Sequence, residues 1–186
     1  GAGGVIVPPE GYHQRALDVC HKYGMLYVAD EVVTAFGRLG HFFASESVFG
    51  MVPDIITSAK GLTSAYAPLS ATIISDEIYD VISKPQCEGG MFTHGFTYSG
   101  HPVPAAVALE TLKIYDEIDL VARVKKASGP FLERLHGFGA HALIGETMGV
   151  GLVGAVEMVA DKSSRAAFDP AGKTGAYLVA RAQAHG

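Results

Sequence analysis

LYVADEVV (residues 26–33) runs an apolar stretch straight into two adjacent acids and then two valines. Short apolar runs of this kind are buried strands. A buried strand that ends in paired carboxylates needs something for them to face. Two cations would answer for Asp30 and Glu31: a metal ion carried by a nucleotide, or the protonated ring nitrogen of an organic cofactor.

The surrounding sequence shows what kind of sheet this strand joins. Residues 5–7 (VIV), 25–29 (MLYVA), 55–57 (IIT) and 71–75 (ATIIS) read as strands, apolar throughout rather than alternating. That pattern predicts a sheet covered on both faces. Tyr12, Ala16, Leu17, Cys20 and Tyr23 recur at helical spacing, with Gly24 where a C-cap belongs. Asp76 and Glu77 open a short helix through Ile82. Strands alternating with helices give an α/β layered fold. Periodicity then stops over residues 84–100 (KPQCEGGMFTHGFTYSG), and a loop of that length is more often functional than idle. Ala105, Ala108, Leu109, Leu112 and Tyr115 mark a helix, with Pro102 and Pro104 near its start. A second helical pattern passes through Val121, Val124, Phe131 and Leu135, and Gly129–Pro130 is expected to bend or divide it. GFGA (137–140) reads as a boundary. Strands at 142–145 and 152–159 follow, then a helix from Gly172.

Composition excludes several classes of function. A formal charge of −5 leaves no basic footprint for nucleic acid. Hydrophobic residues make up 48% and charged residues 18%, the balance of a globular chain. No apolar run approaches the ~20 residues that span a bilayer, so no membrane partner is expected. Cys20 and Cys87 make neither a disulfide framework nor a metal spacing, which fits a reducing cytoplasm. The eight histidines form no H-E-x-x-H or paired Cys/His motif, so no metal is expected, and no serine lies in a G-x-S-x-G elbow. The opening GAGG without Met and the helical pattern running to the last residues lead to the expectation of a piece of a longer chain.

The chemistry comes from a second strand end. DIITSAK (54–60) closes on Lys60, 30 residues after Asp30, with room between for a loop, a short helix around residues 41–49 and a return strand. In an open parallel sheet, ligands bind beyond the carboxyl ends of the strands, so the acid and the lysine meet at one rim. An acid there keeps a ring nitrogen protonated, and a partly desolvated lysine there can form a Schiff base. Together they suit pyridoxal 5'-phosphate. The same two residues would equally suit a surface salt bridge at a strand end. The rival nucleotide reading has AFDPAGKT (167–174), which lacks the first glycine of a phosphate loop and follows a polar stretch instead of a strand. His94 and His101 flank the glycine-rich loop. Thr97, Tyr98 and Ser99 offer hydroxyls to a phosphate, and Arg38 offers a carboxylate anchor; each has an ordinary structural use as well.

YVADEVVTAFGRLG (27–40), PDIITSAKGLTSAYAPLSA (53–71) and GFTYSGHPVPAAVALETL (95–112) together resemble the class III pyridoxal-phosphate aminotransferases. Within them they resemble the omega-amino-acid:pyruvate (beta-alanine:pyruvate) branch, from Gly3 to the last residue. The resemblance implies a fold-type I large domain over residues 1–138, its sheet mostly parallel with one antiparallel strand. Residues 139–186 would begin a small α+β C-terminal domain. Lys60 would hold the cofactor covalently and carry the proton as base, then acid. Asp30 would pair with the pyridinium nitrogen and Val32 would pack on the ring. Thr97 would bind the phosphate of the other subunit's cofactor across a dimer or larger homo-oligomer with shared active sites, with Phe96 beside it near the substrate pocket. An amino donor and a keto acid would be the substrates. A relative with other chemistry, an aminomutase or a decarboxylase, would show the same motifs. Met148 stands where the family commonly has arginine. Val33 stands where ornithine-type members have glutamine, which favours the omega-amino-acid or amine branch. The family's phosphate loop, its ring-stacking aromatic and its carboxylate-gripping arginine fall outside this sequence.

Overall fold

The computed structural model describes residues 4–84, 92–169 and 172–185. The chain divides into two compact units, Pro8–Lys125 and Gly1–Val7 with Lys126–Gly186.

The first unit is built on a three-stranded sheet of order β1-β2-β3. Helix α1 (Tyr12–Lys22) carries His21 and Lys22 in its last turn, the favourable end for cations. Gly24, at φ 67, turns the chain out of it and donates its N–H to the His21 carbonyl at 3.0 Å. Strand β1 (Val28–Asp30) follows, then the short helix α2 (Ala44–Ser47) and strand β2 (Ile55–Ser58). β1 and β2 are parallel, with Val28 opposite Ile55, Ala29 opposite Ile56 and Asp30 opposite Thr57. Strand β3 (Ala71–Ile74) pairs antiparallel with β2. Leu17 of α1 is buried with Ala29 and Met51, and Tyr27 and Ile56 pack against them. Helix α3 (Asp76–Ile82) starts at Ser75, whose hydroxyl accepts the Ile78 N–H at 3.4 Å, with Asp76 and Glu77 in the first turn. Helix α4 (Pro102–Glu117) starts at His101, with proline in its first turn. Its Ala108 forms a second core with Ala35, Phe36 and Leu62, and Leu112 and Tyr115 pack against that core.

Helix α5 (Leu120–Gly137) is followed by a 3₁₀ turn (Phe138–Ala140), strands β4 (Ile144–Val150) and β5 (Val153–Met158), and helix α6 (Lys173–Ala184). β4 and β5 form an antiparallel pair. Glycines let the hairpin approach α5 closely. A Cβ at Gly154 would lie 2.5 Å from Leu135 Cδ2, and one at Gly149 would lie 2.6 Å from Leu132 Cδ2.

Several expectations need correction. Residues 5–7 form no strand and Ile6 is 75% exposed. A ladder needs a neighbouring strand, and among the described residues neither sheet places one beside them. β1 begins at Val28 instead of Met25. The Met25 N–H is taken by the Cys20 carbonyl at the end of α1, and the Tyr27 N–H by the Asp54 carboxylate at 2.6 Å. The described residues leave one face of the sheet partly uncovered. Helix α1 packs on the Ala29–Ile56 side, while Val28 on the alternate side is 51% exposed. Pro130 lies inside α5, which continues past it, so the proline does not divide the helix. Part of the 84–100 loop, with Cys87, lies outside the described residues; 92–100 has no regular structure beyond turns.

Candidate active site

Alternation along β1 separates the two acids of LYVADEVV. Successive strand residues point to opposite faces. Ala29 and Glu31 are buried, while Val28 and Asp30 are exposed. Glu31 continues the ladder, donating its N–H to the Thr57 carbonyl at 2.8 Å. Glu31 is 3% exposed and its carboxylate is fully occupied. It accepts the backbone N–H groups of Ala44 and Ser45 at 2.8 Å each, the Thr34 hydroxyl at 3.1 Å and the Ser45 hydroxyl. Those N–H groups open α2 and have no partner within that helix, so Glu31 serves as its anionic cap.

Asp30 points to the other face. Its Oδ1 accepts the Val32 N–H at 3.0 Å, a local turn that orients the carboxylate, and Val32 itself is half-buried. Asp30 lies opposite Thr57, and Lys60 comes just after β2 ends. Both residues therefore stand at the carboxyl ends of adjacent parallel strands. Lys60 opens a 3₁₀ turn (Lys60–Leu62) with φ 42. Phe36, Ser64 and Ala65 also have positive φ, so four of the six such non-glycine residues among those described surround this corner. Each conformation of this kind costs about 1–3 kcal/mol and persists only where the surroundings enforce it.

The enforcing contacts are specific. Leu62 is buried against Ala108. The Tyr115 hydroxyl donates to the Gly61 carbonyl at 2.7 Å and lies 2.5 Å from the Ser64 hydroxyl. Thr63, 1% exposed, donates to the Ala67 carbonyl at 2.6 Å. Gly61 sits under Phe36, where a Cβ would fall 2.8 Å from Phe36 Cβ. Among the described residues the Lys60 ammonium has no ion-pair or hydrogen-bond partner, and Asp30 forms no ion pair. The strand-end salt bridge is thus not made.

An unpaired ammonium, an oriented carboxylate and a half-buried valine at one sheet rim fit a cofactor with an aldehyde and a pyridinium. They do not fit magnesium on a nucleotide, which takes several oxygens, because Glu31 is turned away and committed to N–H and O–H donors. Gly172 precedes α6 at φ 85, with Lys173 in the first turn. Among the described residues, 160–169 hold a bridge between Asp161 and Ala166 and no strand that would feed a phosphate loop.

Phe96 and Thr97 stand apart. Both are exposed, and no hydrogen bond or ring contact among the described residues ties them to Asp30, Val32 or Lys60. They occupy a turn in which the Phe96 N–H donates to the Ser99 hydroxyl and the Ser99 N–H to the Phe96 carbonyl, each at 2.9 Å. His94 packs edge-on to the Phe96 ring at 5.6 Å. His101 is the cap of α4, its Nδ1 accepting the Val103 N–H at 3.1 Å.

Within the Pro8–Lys125 unit, the shifted acidities lie at the opposite end of the strands. Burial pushes the His13 imidazole down and the Tyr27 phenol up, the latter helped by Tyr12 and Cys20. At Asp54, burial pushes the pKa up, but the Tyr27 N–H and His21, 3.0 Å away, together outweigh it and hold the carboxyl low.

The whole chain, residues 1–186, matches the family described as Aminotransferase class-III. It is 47% identical over 186 residues to a protein from Solanum lycopersicum named Gamma aminobutyrate transaminase 1, mitochondrial, covering 100% of this chain and 36% of that one. It is 46% identical over 173 residues to the putrescine–pyruvate aminotransferase of Pseudomonas aeruginosa, covering 92% of this chain and 37% of that one. Among solved structures, the omega transaminase from Pseudomonas jessenii in complex with PMP superposes with a TM-score of 0.93 at 45% identity, over 100% of this chain and 41% of that one. The chain thus spans little more than a third of the length of the curated relatives it matches. Over that length the fold is that of the fold-type I pyridoxal-phosphate-dependent transaminases.

Proposed function

The chain belongs to the class III aminotransferases, a family that works with pyridoxal 5'-phosphate, and from that premise we propose that the protein carrying it moves an amino group from an omega-amino acid or amine to pyruvate, with Lys60 as the catalytic residue. The observation that carries this reading is the register of β1 and β2, which brings Asp30 and Lys60 to one rim, neither engaged in an ion pair among the described residues. When bound, pyridoxal 5'-phosphate supplies the electron sink that lets the C–H bond beside the donor nitrogen break. Lys60 holds the cofactor through Nζ, and once released its Nζ takes the proton leaving that carbon and later returns it. Asp30 keeps a proton on the ring nitrogen, and Val32 supplies an apolar face for the ring. Thr97 and Phe96, exposed and without a hydrogen bond or ring contact to Lys60 among the described residues, serve the phosphate and substrate pocket of a partner subunit in a homodimer or larger assembly. Residues 1–138 belong to the large domain and residues 139–186 to the start of the small one.

Among the described residues no helix is long and apolar enough to cross a membrane. Cys20, without a disulfide, agrees with a reducing compartment such as the cytoplasm, although several plant relatives carry mitochondrial or chloroplastic in their names. The test is alanine formation from pyruvate with beta-alanine, putrescine or gamma-aminobutyrate as donor. Alanine that appears with one of them and is lost in Lys60→Ala supports the proposal. No alanine with any amine donor contradicts it and leaves an aminomutase or decarboxylase.

A further inference from the structure

We propose that Glu31 is a positioning residue of the cofactor site, setting Asp30 against the ring nitrogen through its grip on the loop that leads to α2. The proposal rests on the pyridoxal-phosphate reading above.

Three observations carry it. Glu31 is the next residue after Asp30, is 3% exposed, and is fixed at both backbone and side chain, its N–H in the ladder to Thr57 and its carboxylate under four donors. Asp30, by contrast, is exposed, and among the described residues its side chain is held by a single bond from the Val32 N–H. The direction of the Asp30 carboxylate therefore depends on where the chain is pinned immediately after it. Secondly, Glu31 closes the loop on itself by holding Thr34 at one side and Ala44 and Ser45 at the other. Thirdly, that closed loop carries Phe36, whose Cβ and ring sit over Gly61, next to Lys60. One buried carboxylate thereby braces the acid at one strand end and the lysine corner at the other. All four partners are donors, which a carboxylate accepts. A carboxamide would turn its own N–H₂ against two of them.

The test uses the protein carrying this chain, loaded with pyridoxal 5'-phosphate labelled with ¹⁵N in the ring, and reads the ring-nitrogen signal across pH. Wild type should keep the ring proton to high pH, and Asp30→Asn should lose it. Glu31→Gln should lower the midpoint of proton loss by about one pH unit. Ser45→Ala, which removes one of the four donors, should shift it the same way by less, and Glu31→Asp should restore part of it. A merely structural role would lower the melting temperature of these variants and leave the midpoint at the wild-type value, which overturns the proposal. If Glu31→Gln does not fold, Ser45→Ala decides: a shifted midpoint supports the positioning role and an unshifted one rejects it. If wild type takes up no label that borohydride fixes to Lys60, the pyridoxal-phosphate reading itself falls, and this proposal with it. That outcome is distinct from a wild type that responds to Asp30→Asn and ignores Glu31→Gln.

Discussion

Replacing Gly61 with alanine would set a new methyl carbon 2.8 Å from Phe36 Cβ and 3.2 Å from Phe36 Cδ2. The glycine is needed for space and not for its φ, which is not in the left-handed region. Phe36 has little room to yield. It is 8% exposed, packs with Ala35, Leu62 and Ala108, and meets the rings of Phe42 and Phe43 at 5.2 and 5.9 Å. Overpacking of this kind costs about 1–3 kcal/mol. At roughly 2–4 °C per kcal/mol for a chain of this size, it should show as a clear fall in Tm. The strain also falls on the residue after Lys60, so the rate at which borohydride traps the cofactor should drop. A double-mutant cycle tests the cause. Phe36→Gly removes both contacting atoms and accepts the φ of 55 at that position, so Gly61→Ala should cost less in its presence by at least ~0.5 kcal/mol. A Gly61→Ala protein with unchanged Tm and unchanged trapping, or strictly additive costs, would refute the reasoning.

Two further outcomes are expected. Tyr115→Phe removes the hydroxyl that donates to the Gly61 carbonyl and meets Ser64, and should cost about 1–3 kcal/mol in denaturant unfolding, with slower trapping at Lys60; a change confined to the noise would show that the corner is held without it. Asp54→Asn bears on the acid limb of stability. The Asp54 carboxyl is held below its ordinary 3.8 in the folded protein, so its contribution is present above that value and lost as pH falls through the lower, folded one. The stability gap between wild type and Asp54→Asn should therefore be largest above about pH 5 and close below 3.8. A gap that stays constant with pH would remove Asp54 from the acid response.

The elements that place the site were legible because each has a local cause. The apolar runs at 55–57 and 71–75 had a ready ladder between them, and Ser75, Asp76 and Glu77 marked the start of α3 by capping chemistry. Asp30 and Lys60 were legible as strand ends, and parallel pairing brings such ends together. Residues 5–7 misled because apolarity does not supply a neighbouring strand, and the start of β1 was misplaced because Asp54, distant in sequence, takes the Tyr27 N–H. At Pro130 the helix is not divided, because the turns on either side hold it continuous. Glu31 was the informative case. Period-two alternation already required that the two acids face opposite ways, so one of them had to leave the site. Its partners, the N–H groups of Ala44 and Ser45, depend on a loop closure that no local pattern announces. Tyr115 and Gly61 were hidden for the same reason, being 54 residues apart.

The central claim is that Lys60 is the residue that holds the cofactor, and the most direct measurement is reduction of the pyridoxal-phosphate-loaded protein with borohydride followed by peptide mass analysis. The expected result is a single cofactor adduct on Lys60, with a visible band near ~400–430 nm that disappears on reduction and is absent from Lys60→Ala. An adduct confined to another lysine, or a band that survives Lys60→Ala, would contradict it.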